Sequence, residues 1–247
     1  MCRLLAYLGP PVTLAALVVE PPHSLLRQSW APRRQRNGVV NADGFGVGWY
    51  DRARRPEPAR YRSPRPMWAD ASFASLAGVV ASTAVLAAVR SATPPTAVEE
   101  SATPPFTDGP WLFAHNGAVA GFHAGVSSRL RRSLGERRDA GIAGPTDSEV
   151  LFAMVLDRMD TGATAPDALA GTVEAVQAEG GGGLTMVLTD GVAVHATTCG
   201  DALFLRRDRD GAVVVASEPS DDGDGWEAVP DASRFTAEAG DVSWCGR

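Results

Sequence analysis

Hydrophobic and polar positions change period several times along this chain. Residues 2–8, 84–90 ("AVLAAVR") and 111–115 ("WLFAH") are short apolar runs, the pattern of buried strands. Residues 45–50, "FGVGWY", alternate with period two. Phe45, Val47 and Trp49 fall on one face, while Gly44, Gly46 and Gly48 leave the other face without side chains. Glycine along one face of a strand marks close approach by another backbone or a ligand. Residues 147–159 put Val150, Leu151, Met154, Val155 and Met159 on one helical stripe, and 70–80 and 164–178 also read as helices. The last third consists of β-rich runs at 184–189, 192–198, 202–207 and 212–217, separated by turn residues, which predicts consecutive hairpins. Strands, then helices, then strands again describe an α+β fold and not the alternation of a doubly wound sheet.

Composition narrows the class. The 247 residues suit one large domain or two small ones, and a single domain over residues 1–247 is the expectation. A net charge of −6 argues against nucleic acid as a partner. All 23 basic residues are arginine, which we read as codon usage and not as a phosphate-binding surface. No apolar run reaches the length of a membrane span. The apolar N-terminus carries one early charge, Arg3, is broken at Gly9-Pro10-Pro11 and shows no small-residue cleavage site. A cytoplasmic chain with no membrane partner is therefore expected. Three distant cysteines (Cys2, Cys199, Cys245) give no disulfide framework, and with four scattered histidines they show no zinc-ligand spacing. Self-association is left open.

Five stretches carry candidate chemistry. Cys2 stands directly behind the initiator methionine. Removal of Met1 would leave a thiol and a free α-amine on one residue, with the mature chain starting at residue 2. A free thiol titrates near ~8.5 and an α-amine near ~7.7–8.0, so the amine is able to serve as the base that activates the thiol. The bland reading is a small buried residue on a first strand. "HNGAV" (115–119) follows an apolar run: Asn-Gly is a hairpin-turn signal, or else the Asn116 amide and the Gly117 N–H form an oxyanion hole. "VRSAT" (89–93) ends an apolar strand with Arg90, which suits bidentate grip of a carboxylate or a plain surface exit, and Thr93 would add a hydroxyl. "TDSE" (146–149) fits a capping box, Thr146 capping and Glu149 reaching back, and leaves the Asp147 carboxylate free for an ammonium group. Arg90 and Asp147 together would recognise an α-amino acid. "NADGFGVGW" (41–49) is not a dinucleotide loop, because its spacing is G-F-G-V-G and no helix follows.

In this order, Cys2, "NADGFGVGW", "VRSAT", "HNGAV", "TDSE" and "VVASEP" (214–219) resemble the class II glutamine amidotransferases, which are N-terminal nucleophile hydrolases. The resemblance covers nearly the whole chain. It implies a four-layer αββα sandwich with the nucleophile at the start of a central strand. It implies Cys2 as nucleophile, Asn116 and Gly117 as oxyanion hole, Arg90 with Thr93 on the α-carboxylate of a γ-glutamyl group, and Asp147 on its α-ammonium. It implies no metal or organic cofactor. Ser217 and Glu218 match a family segment to which no chemistry is assigned. The family's synthases carry a second catalytic domain, for which this chain has no room, so a stand-alone γ-glutamyl hydrolase is expected.

Longer matches, among them "MCRLLAYLG", "QSWAPRRQRNGVVNADGFGVGWYD" and "SATPPFTDGPWLFAHNG", are similar to the ergothioneine-pathway amidohydrolases of actinobacteria. That family cleaves γ-glutamyl hercynylcysteine S-oxide to glutamate and hercynylcysteine S-oxide. Its leaving group carries a trimethylammonium, which aromatic faces hold well. Trp30, Trp49, Trp68 and Trp111 are the candidates, with Asp108 as a nearby charge. The arginine-rich segment 121–145 departs from the family pattern and would bear on leaving-group specificity if it lay over the pocket. The alternatives are a hydrolase of glutathione-type peptides, a glutaminase or amidotransferase subunit, and, from another class, a non-catalytic γ-glutamyl-binding module.

Overall fold

The computed structural model describes residues 2–36 and 38–245, so the removal of Met1 lies outside the described residues. The chain runs β1 (Arg3–Thr13), α1 (Leu14–Val18), α2 (Leu25–Gln28), β2 (Phe45–Trp49), β3 (Ala59–Ser63), α3 (Ala71–Ala77), β4 (Ala81–Val89), β5 (Phe106–Asp108) and β6 (Trp111–Val119). It continues through α4 (Val126–Arg131), α5 (Glu136–Ala140), α6 (Asp147–Asp160) and α7 (Ala165–Ala178). Seven short strands close it: β7 (Gly182–Thr189), β8 (Ala193–Thr197), β9 (Phe204–Arg207), β10 (Val213–Ala216), β11 (Glu227–Ala228), β12 (Arg234–Glu238) and β13 (Asp241–Trp244).

Among the described residues these strands form two antiparallel sheets. One has seven strands in the order β11-β9-β10-β1-β4-β2-β3, the other six in the order β13-β12-β8-β7-β6-β5. Alternation along each strand sorts the side chains into three cores. Leu4, Ala6, Leu86, Ala88, Ala114, Val187, Ala196 and Phe235 meet between the sheets. Leu5, Val47, Val85 and Ala87 face the other way, onto Leu14, Leu17, Leu25 and Phe73 of α1, α2 and α3. Phe113, Leu184, Met186 and Leu188 pack against Val150, Leu151, Met154, Val155, Ala168 and Leu169 of α6 and α7. The result is the four-layer αββα sandwich expected.

The glycine face of β2 explains how closely the two sheets approach. A Cβ at Gly46 would collide with the Pro104 carbonyl, and one at Gly48 would meet the Leu112 side chain at 2.6 Å. The bare face is thus filled by backbone and side chain from the second sheet's connection, while Phe45 and Val47 are buried on the helix side.

One expectation about the strands changes and another gains detail. "HNGAV" is not a turn: β6 runs through it to Val119, with Asn116 opposite Thr185 and Gly117 opposite Leu184 on β7. The last-third runs do form consecutive hairpins, β7–β8 and β9–β10, and the two hairpins belong to different sheets. Thr198 to Leu203 carries the chain across, and β10 then pairs with β1. Hairpin signals are local, whereas the sheet a hairpin joins depends on distant strands.

Candidate active site

β1 lies inside the seven-stranded sheet, flanked by β10 and β4. Arg3 pairs with Val89 at the far end of β4, so Cys2 and Arg90 leave the sheet at the same edge. Cys2 is a partly exposed free thiol. It shares a small cavity of about 40 Å³ with Arg90, Thr93, His115, Gly117, Asp147 and Ser148, among others. That cavity shares Thr93, Thr96 and Asp147 with a neighbouring cleft of about 280 Å³ that reaches Val119, Phe122 and His123.

Arg90 is 4% exposed. Its Nη1 donates to the carbonyls of Ala97 (3.1 Å) and Asp43 (3.3 Å). These neutral partners aim the guanidinium without neutralising it, which suits the capture of a carboxylate. Asp43 also takes the Ala92 N–H at 2.8 Å, bracing the turn that leads to Thr93.

Asp147 opens α6, behind the Thr146 cap, whose hydroxyl accepts from Glu149 N at 3.2 Å. Its carboxylate is not free, as the capping box suggested. Oδ2 accepts from Val119 N at 2.9 Å and Oδ1 from Ser148 N at 2.8 Å. The reason is tertiary: the extended β6 brings the Val119 amide to the helix start. Oδ1 also accepts from the Ser148 hydroxyl at 3.3 Å, while Oδ2 keeps a second lone pair, so the carboxylate, which lines the cavity, is still able to accept from an ammonium. Glu149 reaches back to Gly144 N (3.0 Å) and the Thr146 hydroxyl (3.2 Å), and burial raises its carboxyl above the usual range against these bonds.

Asn116 and Gly117 stand side by side on β6. Asn116 is fully buried, and neither Nδ2 nor Oδ1 has a hydrogen-bond partner among the described residues. Leaving a buried amide unpaired costs free energy, so such a group is expected where a reacting atom will pair with it. Gly117 has φ +148°, and a Cβ there would run into the Gly183 carbonyl. Only glycine lets β6 and β7 close at this point.

Several groups here were given no chemical part from the sequence. His115 is buried, with Nε2 2.9 Å from the Gly183 carbonyl and Nδ1 3.0 Å from Ser148 Oγ, and so ties β6 to β7 and α6. Arg3 is 1% exposed, and its Nε donates to the Cys2 carbonyl at 2.8 Å. Ser217 pairs with Leu4 at both groups: its N–H donates to the Leu4 carbonyl (2.9 Å) and its Oγ accepts from Leu4 N (3.0 Å). Glu218 is buried and accepts from the Arg33 and Arg34 amides at 2.9 and 2.6 Å. A signal for Arg3 existed: one charge inside an apolar first strand.

The leaving-group candidates are placed elsewhere. None of Trp30, Trp49, Trp68, Trp111 and Asp108 lines the Cys2 cavity. Trp30 and Trp68 meet edge to face at 5.8 Å with Arg27 over Trp30, both exposed. Trp49 packs on the α1–α3 side, and Trp111 against the α6–α7 core. Asp108 is ion-paired with Arg138 and lines a separate cavity of about 460 Å³. Segment 121–145 splits: Gly121 to Ala124 border the cleft beside Asp147, while Arg137, Arg138 and Gly141 to Ala143 line that separate cavity.

One cavity between the layers of an αββα sandwich thus joins a cysteine at the start of a central strand, an arginine held by neutral carbonyls, the backbone of Gly117 and a helix-start carboxylate, a set able to accept both ends of an α-amino acid. The family model described as "Glutamine amidotransferases class-II" matches residues 12–209, and the chain belongs to the class II glutamine amidotransferases. Within them it is 45% identical over 237 residues to the gamma-glutamyl-hercynylcysteine sulfoxide hydrolase of Mycobacterium tuberculosis (strain ATCC 25618 / H37Rv), covering 94% of this chain and 90% of that protein. It is 43% identical to the protein of the same name from Mycolicibacterium smegmatis, covering 94% and 93%. Among solved structures, a glutamine aminotransferase class-II domain protein from Silicibacter pomeroyi superposes with a TM-score of 0.70 at 26% identity, covering 99% of this chain and 98% of that one. The family match begins after Cys2, so the assignment of the nucleophile rests on geometry.

Proposed function

We propose that this chain hydrolyses the γ-glutamyl amide bond of γ-glutamyl hercynylcysteine S-oxide, releasing glutamate and hercynylcysteine S-oxide. One observation carries the chemistry: Cys2 shares a cavity with Arg90, Thr93, Gly117 and Asp147. The mycobacterial relatives carry the substrate.

Arg90 takes the α-carboxylate, with Thr93 beside it, and Asp147 takes the α-ammonium. This pair fixes the glutamyl end and sets the γ-carbonyl against Cys2, and such positioning is a large share of catalysis. With Met1 removed, the Cys2 α-amine accepts the thiol proton, and the thiolate attacks the carbonyl carbon. The Asn116 amide and Gly117 N–H take the oxyanion, each donor of this kind being worth about 2.7–4 kcal/mol in the transition state. Collapse breaks the C–N bond, the proton passes to the departing amine, and a γ-glutamyl thioester remains. Water then attacks the thioester, releases glutamate and restores the thiol.

The partner is a small γ-glutamyl compound, and the site of action is the cytoplasm, in keeping with three free cysteines. No helix among the described residues is long and apolar enough to cross a membrane. The deciding experiment offers γ-glutamyl hercynylcysteine S-oxide, glutamine and γ-glutamylcysteine peptides side by side and follows glutamate release. Preference for the first is expected. Preference for another would discard the substrate and keep the mechanism, and release from none would favour a binding module.

A further inference from the structure

We infer that Arg3, balanced by Glu218, is a positioning residue for the Cys2 nucleophile. The inference rests on the reading of Cys2 as nucleophile given above.

Arg3 is among the largest fully buried side chains of the protein. Burying a guanidinium is costly unless it is paired and its N–H groups are satisfied. Among the described residues Nη2 has no partner and the group forms no ion pair. Burial accordingly pulls its pKa below the ordinary value, while the fields of Glu218, Asp201 and Cys2 pull it back up. A hydrophobic residue at this strand position would avoid that cost. The one bond the guanidinium makes among the described residues explains its presence: Nε to the Cys2 carbonyl at 2.8 Å. That bond fixes the peptide plane between Cys2 and Arg3 and so holds the Cys2 Cα, leaving the α-amine and the thiol to be set by rotation about single bonds from an anchored point.

The surroundings hold the device in place. The backbone and side chain of Ser217 clamp Leu4. The next residue, Glu218, is fixed by the Arg33 and Arg34 amides and supplies the largest opposing charge on Arg3. The "SEP" segment thus acts on the nucleophile through β1. Asp201 stands on the same side, its carboxyl raised by burial and drawn down by Arg3, His115 and Arg36. The other charged or titratable groups around Cys2 are its own α-amine, Arg90 after β4, His115 on β6 and Asp147 at the start of α6. Arg3 attracts a Cys2 thiolate, and Glu218 offsets that attraction.

The test uses the full chain with Met1 removed and γ-glutamyl hercynylcysteine S-oxide as substrate, comparing Arg3→Met, Arg3→Lys, Glu218→Gln and Cys2→Ala. Arg3→Met is expected to lower kcat roughly 10²-fold with KM little changed, the scale of an ångström's misplacement, and Arg3→Lys to recover part of the loss. Cys2 alkylation by iodoacetamide, followed by peptide mass to separate it from Cys199 and Cys245, gives a second readout. Its pH midpoint should rise in Arg3→Met and fall in Glu218→Gln. A purely structural part for Arg3 would lower Tm without moving the midpoint in opposite directions. If Cys2→Ala is inactive while Arg3→Met turns over at the wild-type rate, or if both midpoints move the same way, the inference is overturned and the nucleophile stands. A fully active Cys2→Ala would remove the nucleophile reading and this inference with it. Should Arg3→Met fail to fold, Glu218→Gln, which keeps an acceptor for the Arg33 and Arg34 amides, decides alone: an unmoved midpoint overturns the proposal.

Discussion

Arg3 stands opposite Val89 in the antiparallel pairing of β1 and β4. That register brings Cys2 and Arg90, from opposite ends of two different sequence segments, to one edge of the sheet and into one cavity. The catalytic arrangement proposed here depends on it, because a one-residue slip would turn every side chain of β1 to the other face.

Replacing Cys2 by alanine should abolish glutamate release, by roughly 10³-fold or more, since a nucleophile that acts as a unit with its base cannot be replaced piecemeal. Calorimetric titration with the substrate should still show binding. A chain carrying extra residues ahead of Cys2 should fold with unchanged Tm and be equally inactive, because its α-amine has become an amide. Full activity of such an extended chain would refute the free-amine mechanism.

Asn116→Ala should lower kcat by about 10²–10³-fold at nearly constant KM, as loss of one oxyanion donor does. Tm should change little on account of hydrogen bonding, since neither amide atom of Asn116 has a partner within the described protein. Steady-state kinetics and a melting curve on the same sample check both halves.

Asp147→Asn removes the charge and keeps one oxygen, which retains the bond from one of the Val119 and Ser148 amides. KM for the γ-glutamyl substrate should rise roughly tenfold or more, a loss on the scale of about 1.5–3 kcal/mol for a charged hydrogen bond. An analogue lacking the α-amino group should bind the variant and the parent alike.

Gly46→Ala and Gly48→Ala should both destabilise the protein, and the first more. The new methyl at 46 meets the Pro104 carbonyl, which is backbone, whereas at 48 it meets the end of the Leu112 side chain, which yields more easily than backbone. Costs of about 3 and about 1 kcal/mol are expected, the range for overpacking. Urea unfolding measures both.

His195 on β8, 2.9 Å from Thr236 Oγ1, is held below the ordinary imidazole range by burial, against the fields of Asp190 and Glu238. The unfolded chain takes up this proton near pH ~6.5 while the folded chain resists it. Stability therefore falls as pH drops below that value. Relative to the parent, His195→Gln should gain roughly 1–3 °C in Tm between pH 7.5 and pH 5.5. A difference in Tm that does not change with pH would contradict the assignment.

Much was settled by the sequence alone. Short apolar runs placed β1, β4 and β6, alternation placed β2 and helical patterns placed α6 and α7, because such patterns are properties of a few adjacent residues. The bare glycine face of β2 announced a close approach that the second sheet makes. Tertiary structure decided the rest. It carried β6 straight through Asn116-Gly117, since pairing with β7 outweighs a local turn preference. It gave Asp147 the Val119 amide, parted β8 from β9, and set the tryptophans away from the Cys2 cavity. It also brought Arg3, Ser217 and Glu218 together from the two ends of the chain. Such contacts are fixed by which strands become neighbours, and that is a balance of burial over the whole molecule which no short window of residues contains.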